Sequence, residues 1–510
     1  MNNANFALAL ATAADSHPHR DCLIIDRDDG SAHETWSYAD LGHWVQRFAG
    51  ALAALEVAPG DRVLSQVEKS PFAVALYLGC LRLGAVYVPL NTAYTAEEVD
   101  YFLGDAEPRV YVASSAIAAR RGPIEGVHVV TLDADGTGTL ADAARRAEPF
   151  TGIELRRPDD IAAIVYTSGT TGRSKGAMLT HANLESNARV LTDAWGWRDD
   201  DVLLHALPIF HVHGLFVALH CALLNATPMI FQPRFDAARV AAALPRATVL
   251  MGVPTFYTRL LERPEVNRES CRRVRLFVSG SAPLTEATFA AWEARTGHRI
   301  LERYGMSETM MNTSNPLHGE RVPGTVGFPL PGVEARIAAP EDGRVLRPGE
   351  VGVIEVRGPN VFAGYWRMPE KTAAEFRPDG FFITGDIGVM DEAGRVSIVG
   401  RAKDLIISGG YNVYPKEIER LLDELPGVGE SAVIGVPHPD FGEGVVAVLA
   451  ASDPAIDLPA VRRALEGRLA SFKQPKAVVH VDALPRNAMG KVQKNALRAQ
   501  FQNLFAGAVS

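Results

Sequence analysis

Ile161-Ala162-Ala163-Ile164-Val165-Tyr166-Thr167-Ser168-Gly169-Thr170-Thr171-Gly172-Arg173-Ser174-Lys175-Gly176 is the stretch that sets the reading of this chain. The run Ile161 to Val165 is apolar and predicts a buried strand. A loop dense in Gly, Ser and Thr follows it. Its glycines permit tight turns and close backbone approach, and its hydroxyls and N–H groups can surround phosphate oxygens. Arg173 and Lys175 add positive charge. The loop is not of the Walker A type, because no Gly is followed directly by Lys-Ser or Lys-Thr at the required spacing. Taken alone, it reads either as a phosphate site or as a flexible polar loop.

The surroundings have the rhythm of an α/β domain with a mostly parallel sheet. Asp61 to Gln66, Ala85 to Leu90, Val110 to Ala113 and Val127 to Leu132 read as strands. Ser70 to Leu83 reads as a helix with Phe72, Ala75, Leu76, Cys80 and Leu83 on one face. The pattern recurs from Leu203 to Val253. After about residue 320 Gly and Pro become dense, and the short runs Val333 to Ile337, Gly352 to Val356 and Arg395 to Val399 predict a smaller β-rich unit. A helix from Pro415 to Leu425 and further α/β alternation close the chain. The expected organisation is a large N-terminal domain over 1–400, made of layered α/β subdomains plus a β-rich subdomain at about 320–400. A hinge at 401–404 and a small, mobile α+β C-terminal domain over 405–510 follow.

At 510 residues the chain is long enough for several structural units. The net charge of −9 and the lack of a dense basic run argue against a nucleic-acid surface. No apolar run reaches membrane-spanning length, and Phe6 to Ala14 reads as a first helix, so a cytoplasmic location is expected. The 4 cysteines are far apart and form no CxxC pair, which favours buried free thiols. His211 and His213 could be metal ligands, but no third ligand has convincing spacing.

Further strings carry chemistry. In Tyr304-Gly305-Met306-Ser307-Glu308-Thr309, the tyrosine can stack on a purine and the glutamate is a hard oxygen ligand suited to Mg²⁺. The alternative is a turn with a solvated carboxylate. In Thr384-Gly385-Asp386, the carboxylate can accept both hydroxyls of a ribose or cap its own turn. Gly400-Arg401-Ala402-Lys403-Asp404, then Ser408-Gly409-Gly410-Tyr411, and finally Pro485-Arg486-Asn487-Ala488-Met489-Gly490-Lys491 complete the set.

These strings, in this order and over roughly residues 20 to 500, resemble the signatures of the adenylate-forming superfamily, which includes acyl-CoA synthetases, luciferases and peptide-synthetase adenylation domains. The resemblance implies ATP, Mg²⁺ and CoA as reactants and cofactors. It implies that Thr167, Ser168, Gly169, Thr170, Thr171, Gly172 and Lys175 hold the triphosphate. Ser281, Ala282, Glu302, Tyr304, Gly305, Met306 and Thr309 would line the adenine, and Asp386 and Arg401 would hold the ribose and α-phosphate. Glu308 would be the metal-binding and catalytic carboxylate, Lys491 the catalytic lysine of adenylation, and His211 a further catalytic residue. Lys403 would be the swivel that turns the C-terminal domain, bringing Ser408, Gly409 and Gly410 to a pantetheine tunnel. Acetylation by a lysine acetyltransferase, reversed by a deacetylase, would silence Lys491 by removing its charge.

The acid is read from His205 to Gly214 and from Thr255 to Leu261. No Asp stands where a peptide-synthetase domain holds its substrate amine. Arg259 lies three residues after Phe256, and the residues alone divide between a clamp for a second carboxylate and an ion pair with Glu262. The wider strings HALPIFHVHGLF, LMGVPTFYTRLL, LFVSGSAPL and LERYGMSETMMNTSNP resemble the malonyl-CoA synthetase branch. That resemblance implies malonate, and also methylmalonate, with Arg259 holding the distal carboxylate and Ser279, His211 and Met306 shaping a short pocket. The rivals are a ligase for another short-chain or aryl acid and a non-catalytic nucleotide-binding sensor.

Overall fold

The computed structural model describes residues 3–25, 34–167, 174–408, 411–451, 456–487 and 490–506. Ser168 to Gly172 of the phosphate loop, with Arg173, and the pair Gly409 and Gly410 lie outside the described residues. The described strands form four sheets in a mixed α/β fold, with a large N-terminal and a small C-terminal part.

In the first sheet Gly364–Tyr365, Lys175–Thr180, Ile161–Thr167, Val86–Pro89, Arg62–Gln66, Val110–Ala113 and His128–Thr131 lie side by side. The last four of these are parallel to one another. The phosphate loop departs from that pattern. Ile161–Thr167 turns back antiparallel into Lys175–Thr180, with Thr167 opposite Lys175. The loop therefore joins two paired strands, so its two ends are fixed by the ladder.

The helix Pro71–Leu83 shows how sequence sets element limits. Ser70 accepts from the Ala73 N–H at its start, Pro71 occupies the first turn, and Gly84 ends it in the left-handed region at φ 75°. The predicted single apolar face was too narrow. Val74, Tyr77, Leu78 and Leu81 are buried as well, because the helix lies inside the main core.

The second sheet bears the site. Its central strands Leu301–Met306, Leu276–Ser279, Val249–Gly252, Leu203–His205, Met229–Phe231 and Asp21–Ile25 are mutually parallel. Open parallel sheets bind ligands beyond the carboxyl ends of their strands. Here those ends carry His205, Gly252, Ser279 and the segment Arg303 to Met306. The third sheet is antiparallel, Glu334–Ala338, Gly352–Arg357, Phe382–Met390 and Val396–Arg401, and pairs Asp386 with Arg401 in register.

The C-terminal sheet contains Tyr411–Val413, Ile406–Ser408, Gly442–Ala451, Val428–His438 and Ala477–His480. Side chains alternate between two cores. Val433, Val445, Ala447 and Leu449 face one, and Ala432, Ile434, Val446 and Val448 the other. The first core is closed by Pro415–Asp423 and Leu458–Leu465, and the second by Lys494–Phe501. All four cysteines are buried and free. No helix among the described residues is long and apolar enough to cross a membrane.

Candidate active site

The ribose motif is a charged knot in the wall between two sheets. Arg401 Nε lies 2.7 Å from Asp386 Oδ1, and the Tyr304 hydroxyl donates to Asp386 Oδ2 at 2.5 Å. The Asp386 N–H donates to Thr384 Oγ1, which fixes the turn around Gly385. The Asp386 carboxylate holds Arg401 above its ordinary pKa, and burial pushes Tyr304 up, so the phenol stays protonated as a donor. At Gly305 the Cβ direction is filled by protein: a Cβ there would meet the Met310 carbonyl oxygen at 1.7 Å. The glycine is thus required by the bulge that turns the strand after Tyr304.

Glu308 is buried, and burial raises its carboxyl pKa. The Tyr365 hydroxyl stands 3.1 Å from Glu308 Oε1 and 2.7 Å from Glu375 Oε2. Its single proton serves one carboxylate at a time. Lys175 lies over the Tyr365 ring at 4.1 Å and pairs with Glu375 Oε1 at 3.3 Å. Thr309 is fully buried, and its hydroxyl has no hydrogen-bond partner. Among the described residues no group of three or more His, Cys, Asp or Glu is arranged to hold a metal ion. A lone buried carboxylate suits an ion held mainly by phosphate oxygens and water, the habit of Mg²⁺.

Lys491 reaches this region from the C-terminal part. Asn487 shapes its loop: the Lys491 N–H donates to Asn487 Oδ1, and the Asn487 N–H donates to the Lys491 carbonyl, both at 3.0 Å. Gly490 approaches so closely that a Cβ on it would lie 3.0 Å from Thr255 Oγ1. Burial, reinforced by the nearby Arg401 charge, pushes the Lys491 ammonium down to about 8. Glu302, on the strand Leu301–Met306, is buried with its carboxyl pushed up to about 8 by burial, and it accepts from the Leu284 N–H. Ser281 sits in the left-handed region at φ 70°, a conformation seldom adopted outside glycine. Its hydroxyl lies 3.2 Å from His213 Nδ1. Ala282 and Met306 are partly exposed beside it.

The acid end of the site differs from the expectation. Arg259 was expected to turn inward on the helix Pro254–Leu261, but it is exposed there while Phe256, Tyr257 and Leu260 are buried. The buried cation is Arg303, two residues upstream of Gly305. It is 3% exposed, and its Nε and Nη2 have no hydrogen-bond partner. Burial pushes its guanidinium down to about 9. The Ser279 hydroxyl and His213 Nε2 are likewise buried without partners. Gly280 makes room for this arrangement, since a Cβ on it would sit 2.5 Å from Arg303 Cζ.

His211 feels both Arg303 and Lys491, and burial with those two charges pushes it down to about 4. It is therefore neutral at pH 7. Its Nδ1 accepts from the His213 N–H at 3.2 Å, which leaves Nε2–H as a donor. The result is a buried guanidinium with neutral donors around it, and with His211 feeling both that charge and Lys491. A cavity of about 310 Å³ opens nearby, lined among others by Lys69, Ile209, Phe210 and Phe256. Ser408, in the C-terminal sheet, is buried, and Lys403 is exposed.

Arg303 escaped the sequence reading because it stands one residue before a motif that drew the reading to Tyr304 and Glu308. The available signal was a charged pair, Glu302-Arg303, inside a strand otherwise fit for the core.

Comparison with known proteins fits this geometry. Residues 10–366 match the AMP-binding enzyme family and residues 417–491 match the AMP-binding enzyme C-terminal domain, so the chain belongs to the AMP-binding enzyme family. Within it, the chain is 37% identical over 483 residues to a malonate–CoA ligase of Arabidopsis thaliana, covering 87% of this chain and 78% of that protein. A mitochondrial malonate–CoA ligase of Mus musculus is 38% identical over 457 residues, covering 82% of this chain and 78% of that protein. ATP-bound MatB from Rhodopseudomonas palustris superposes with a TM-score of 0.94 at 54% identity, over 99% of this chain and 100% of that chain.

Two outcomes follow from the geometry. Gly280→Ala crowds the Arg303 guanidinium and should raise KM for the acid roughly tenfold, as overpacking costs about 1–3 kcal/mol, with KM for ATP little changed; steady-state kinetics on both substrates checks this. In the adenylation role proposed for it, Lys491 acts as an ammonium, so kcat/KM for that step should fall as pH rises through about 8. A profile flat from pH 7 to 9 would contradict the assignment.

Proposed function

We propose that this AMP-forming acid–thiol ligase couples malonate to CoA through a malonyl-adenylate. The observation that carries the reading is the buried Arg303, whose Nε and Nη2 lack partners beside the unpaired Ser279 hydroxyl. Leaving a guanidinium uncompensated in a protein interior costs roughly several kcal/mol. A carboxylate can meet both guanidinium donors in a bidentate pair. An activated acid needs its own carboxylate at the reaction centre, so a second anion at Arg303 requires a dicarboxylate. His211 lies within reach of the charges of both Arg303 and Lys491, which favours a short one. Methylmalonate belongs to the same reading, because the groups named here address the two carboxylates and none addresses C2.

In this reading Lys491 and Arg303 offset the negative charge of the acid. Lys491 stands near the α-phosphate, where two anions must meet in a partly dry site. Tyr304, Ser281 and Ala282 border the base, and Asp386 holds the ribose hydroxyls. Thr167 and Lys175 flank the triphosphate loop, whose Ser168, Gly169, Thr170, Thr171 and Gly172 supply further donors. Glu308 would hold Mg²⁺, which neutralises phosphate charge when bound. The acid's oxygen attacks the α-phosphorus and pyrophosphate leaves.

Thioester formation then needs a thiol at the acyl carbon. The cavity beside Phe210 and Phe256 offers its approach. Rotation of the C-terminal domain about Lys403 would withdraw Lys491 and bring the segment from Ser408 through Gly410 inward.

Pyrophosphate release with MgATP, measured across malonate, methylmalonate, succinate, acetate, octanoate and benzoate with and without CoA, tests the reading. Malonate is expected to lead and acetate to trail it by at least about a hundredfold, the scale of a missing buried charge contact. Preference for benzoate, octanoate or acetate would overturn the malonate reading. Nucleotide binding without pyrophosphate release for any acid would favour a sensor.

A further inference from the structure

Lys175 is the lysine at the end of the phosphate loop, yet its ammonium faces a protein carboxylate. Its Nζ lies 3.3 Å from Glu375 Oε1, and the two side chains are only 21% and 19% exposed. The same oxygen is held more closely by Lys371 Nζ at 2.7 Å. The other oxygen of Glu375 receives the Tyr365 hydroxyl at 2.7 Å. Glu375 follows the short helix Pro369–Ala374, and Tyr365 belongs to the strand Gly364–Tyr365, which pairs with Lys175–Thr180. The cluster is therefore built on elements that also set the root of the phosphate loop.

Two features make the Lys175–Glu375 contact exchangeable. It is the longest of the three contacts on that carboxylate, and losing it leaves Glu375 still bound to Lys371 and Tyr365. The Tyr365 ring face, 4.1 Å from Lys175 Nζ, supports the ammonium without fixing its direction. Three donors hold the Glu375 carboxyl below its usual range, so it stays an anion.

We propose that Glu375 is a resident anion that competes with the nucleotide's outer phosphates for Lys175 and, by recapturing the lysine, assists departure of pyrophosphate. This rests on the reading that the loop ending at Lys175 holds the triphosphate. ATP binding exchanges one anion for another at Lys175, and the exchange reverses once the bond between the α- and β-phosphates is broken. The site trades some ATP affinity for faster clearance of a product that otherwise shares the same cation. AMP has no outer phosphate and does not enter the competition.

Calorimetric titration of ATP, pyrophosphate and AMP at fixed MgCl₂ on the wild type, Glu375→Gln, Lys175→Met and the double variant tests this. Glu375→Gln should tighten ATP and pyrophosphate roughly three- to tenfold, the scale of a half-buried ion pair, and leave AMP unchanged. The gain should vanish in the Lys175→Met background, whereas simple repulsion between Glu375 and phosphate would persist there. Unchanged or weaker ATP and pyrophosphate binding in Glu375→Gln would overturn the proposal, as would an equal change for AMP. If Lys175→Met itself leaves ATP affinity intact, the phosphate-loop reading fails first. Glu375→Asp, which keeps the charge but withdraws it by one methylene, should show the same direction with a smaller change if Glu375→Gln does not fold.

Discussion

A guanidinium buried without a protein anion is the constraint on which the acid half of the site depends. Arg303 is nearly inaccessible, has two unpartnered nitrogens, and stands among neutral histidines. The chain carries a net charge of −9, so acidic side chains are plentiful, yet the Arg303 Nε and Nη2 find no partner among the described residues. Its burial is tolerated because Gly280 lacks a side chain and because the sheet around it is tightly packed. A stored electrostatic cost of this kind is relieved by an anion arriving from outside. In the proposed function Arg303 is therefore a recognition device and not a stabilising contact.

The nucleotide half is organised in the opposite manner. Asp386, Arg401 and Tyr304 are already paired, as are Glu375, Lys175, Lys371 and Tyr365. In the proposed function, binding there exchanges partners, whereas binding at Arg303 supplies one. Lys491 reaches the nucleotide half on a loop from the C-terminal part that approaches Thr255, and it feels the charges of Arg401, Asp386, Lys403 and Asp404. His211 feels both it and Arg303. In the proposed function this lysine favours the state in which both anions are present, and it is withdrawn when the C-terminal part rotates.

Much of this was legible in the sequence where local chemistry is also global chemistry. Val110 to Ala113 is a strand with the expected limits, and Ser70, Pro71 and Gly84 mark their helix from both ends. The order of the nucleotide motifs was equally readable, and Asp386 and Arg401 turn out to be register partners. What sequence spacing could not convey was which side of a helix faces the pocket. Phe256, Tyr257 and Leu260 define the buried stripe of their helix, and at about 100° per residue Arg259 falls outside it. Arg303 was hidden for the converse reason: a strand interior implies apolar company, so a charge there reads as an exception until the partnerless atoms are seen. The doubly covered helix Pro71–Leu83 and the antiparallel turn of the phosphate loop likewise depend on neighbours distant in sequence.

In the proposed function Arg303, and not Arg259, selects the dicarboxylate. The most direct measurement is kcat/KM in the pyrophosphate-release assay for malonate and for acetate, on the wild type, Arg303→Met and Arg259→Met. Arg303→Met should lose roughly 10²–10³-fold with malonate, as expected for truncating one member of a buried charge pair, while acetate turnover is kept or raised and Arg259→Met stays close to wild type. Malonate turnover that survives in Arg303→Met, or that collapses only in Arg259→Met, would contradict it.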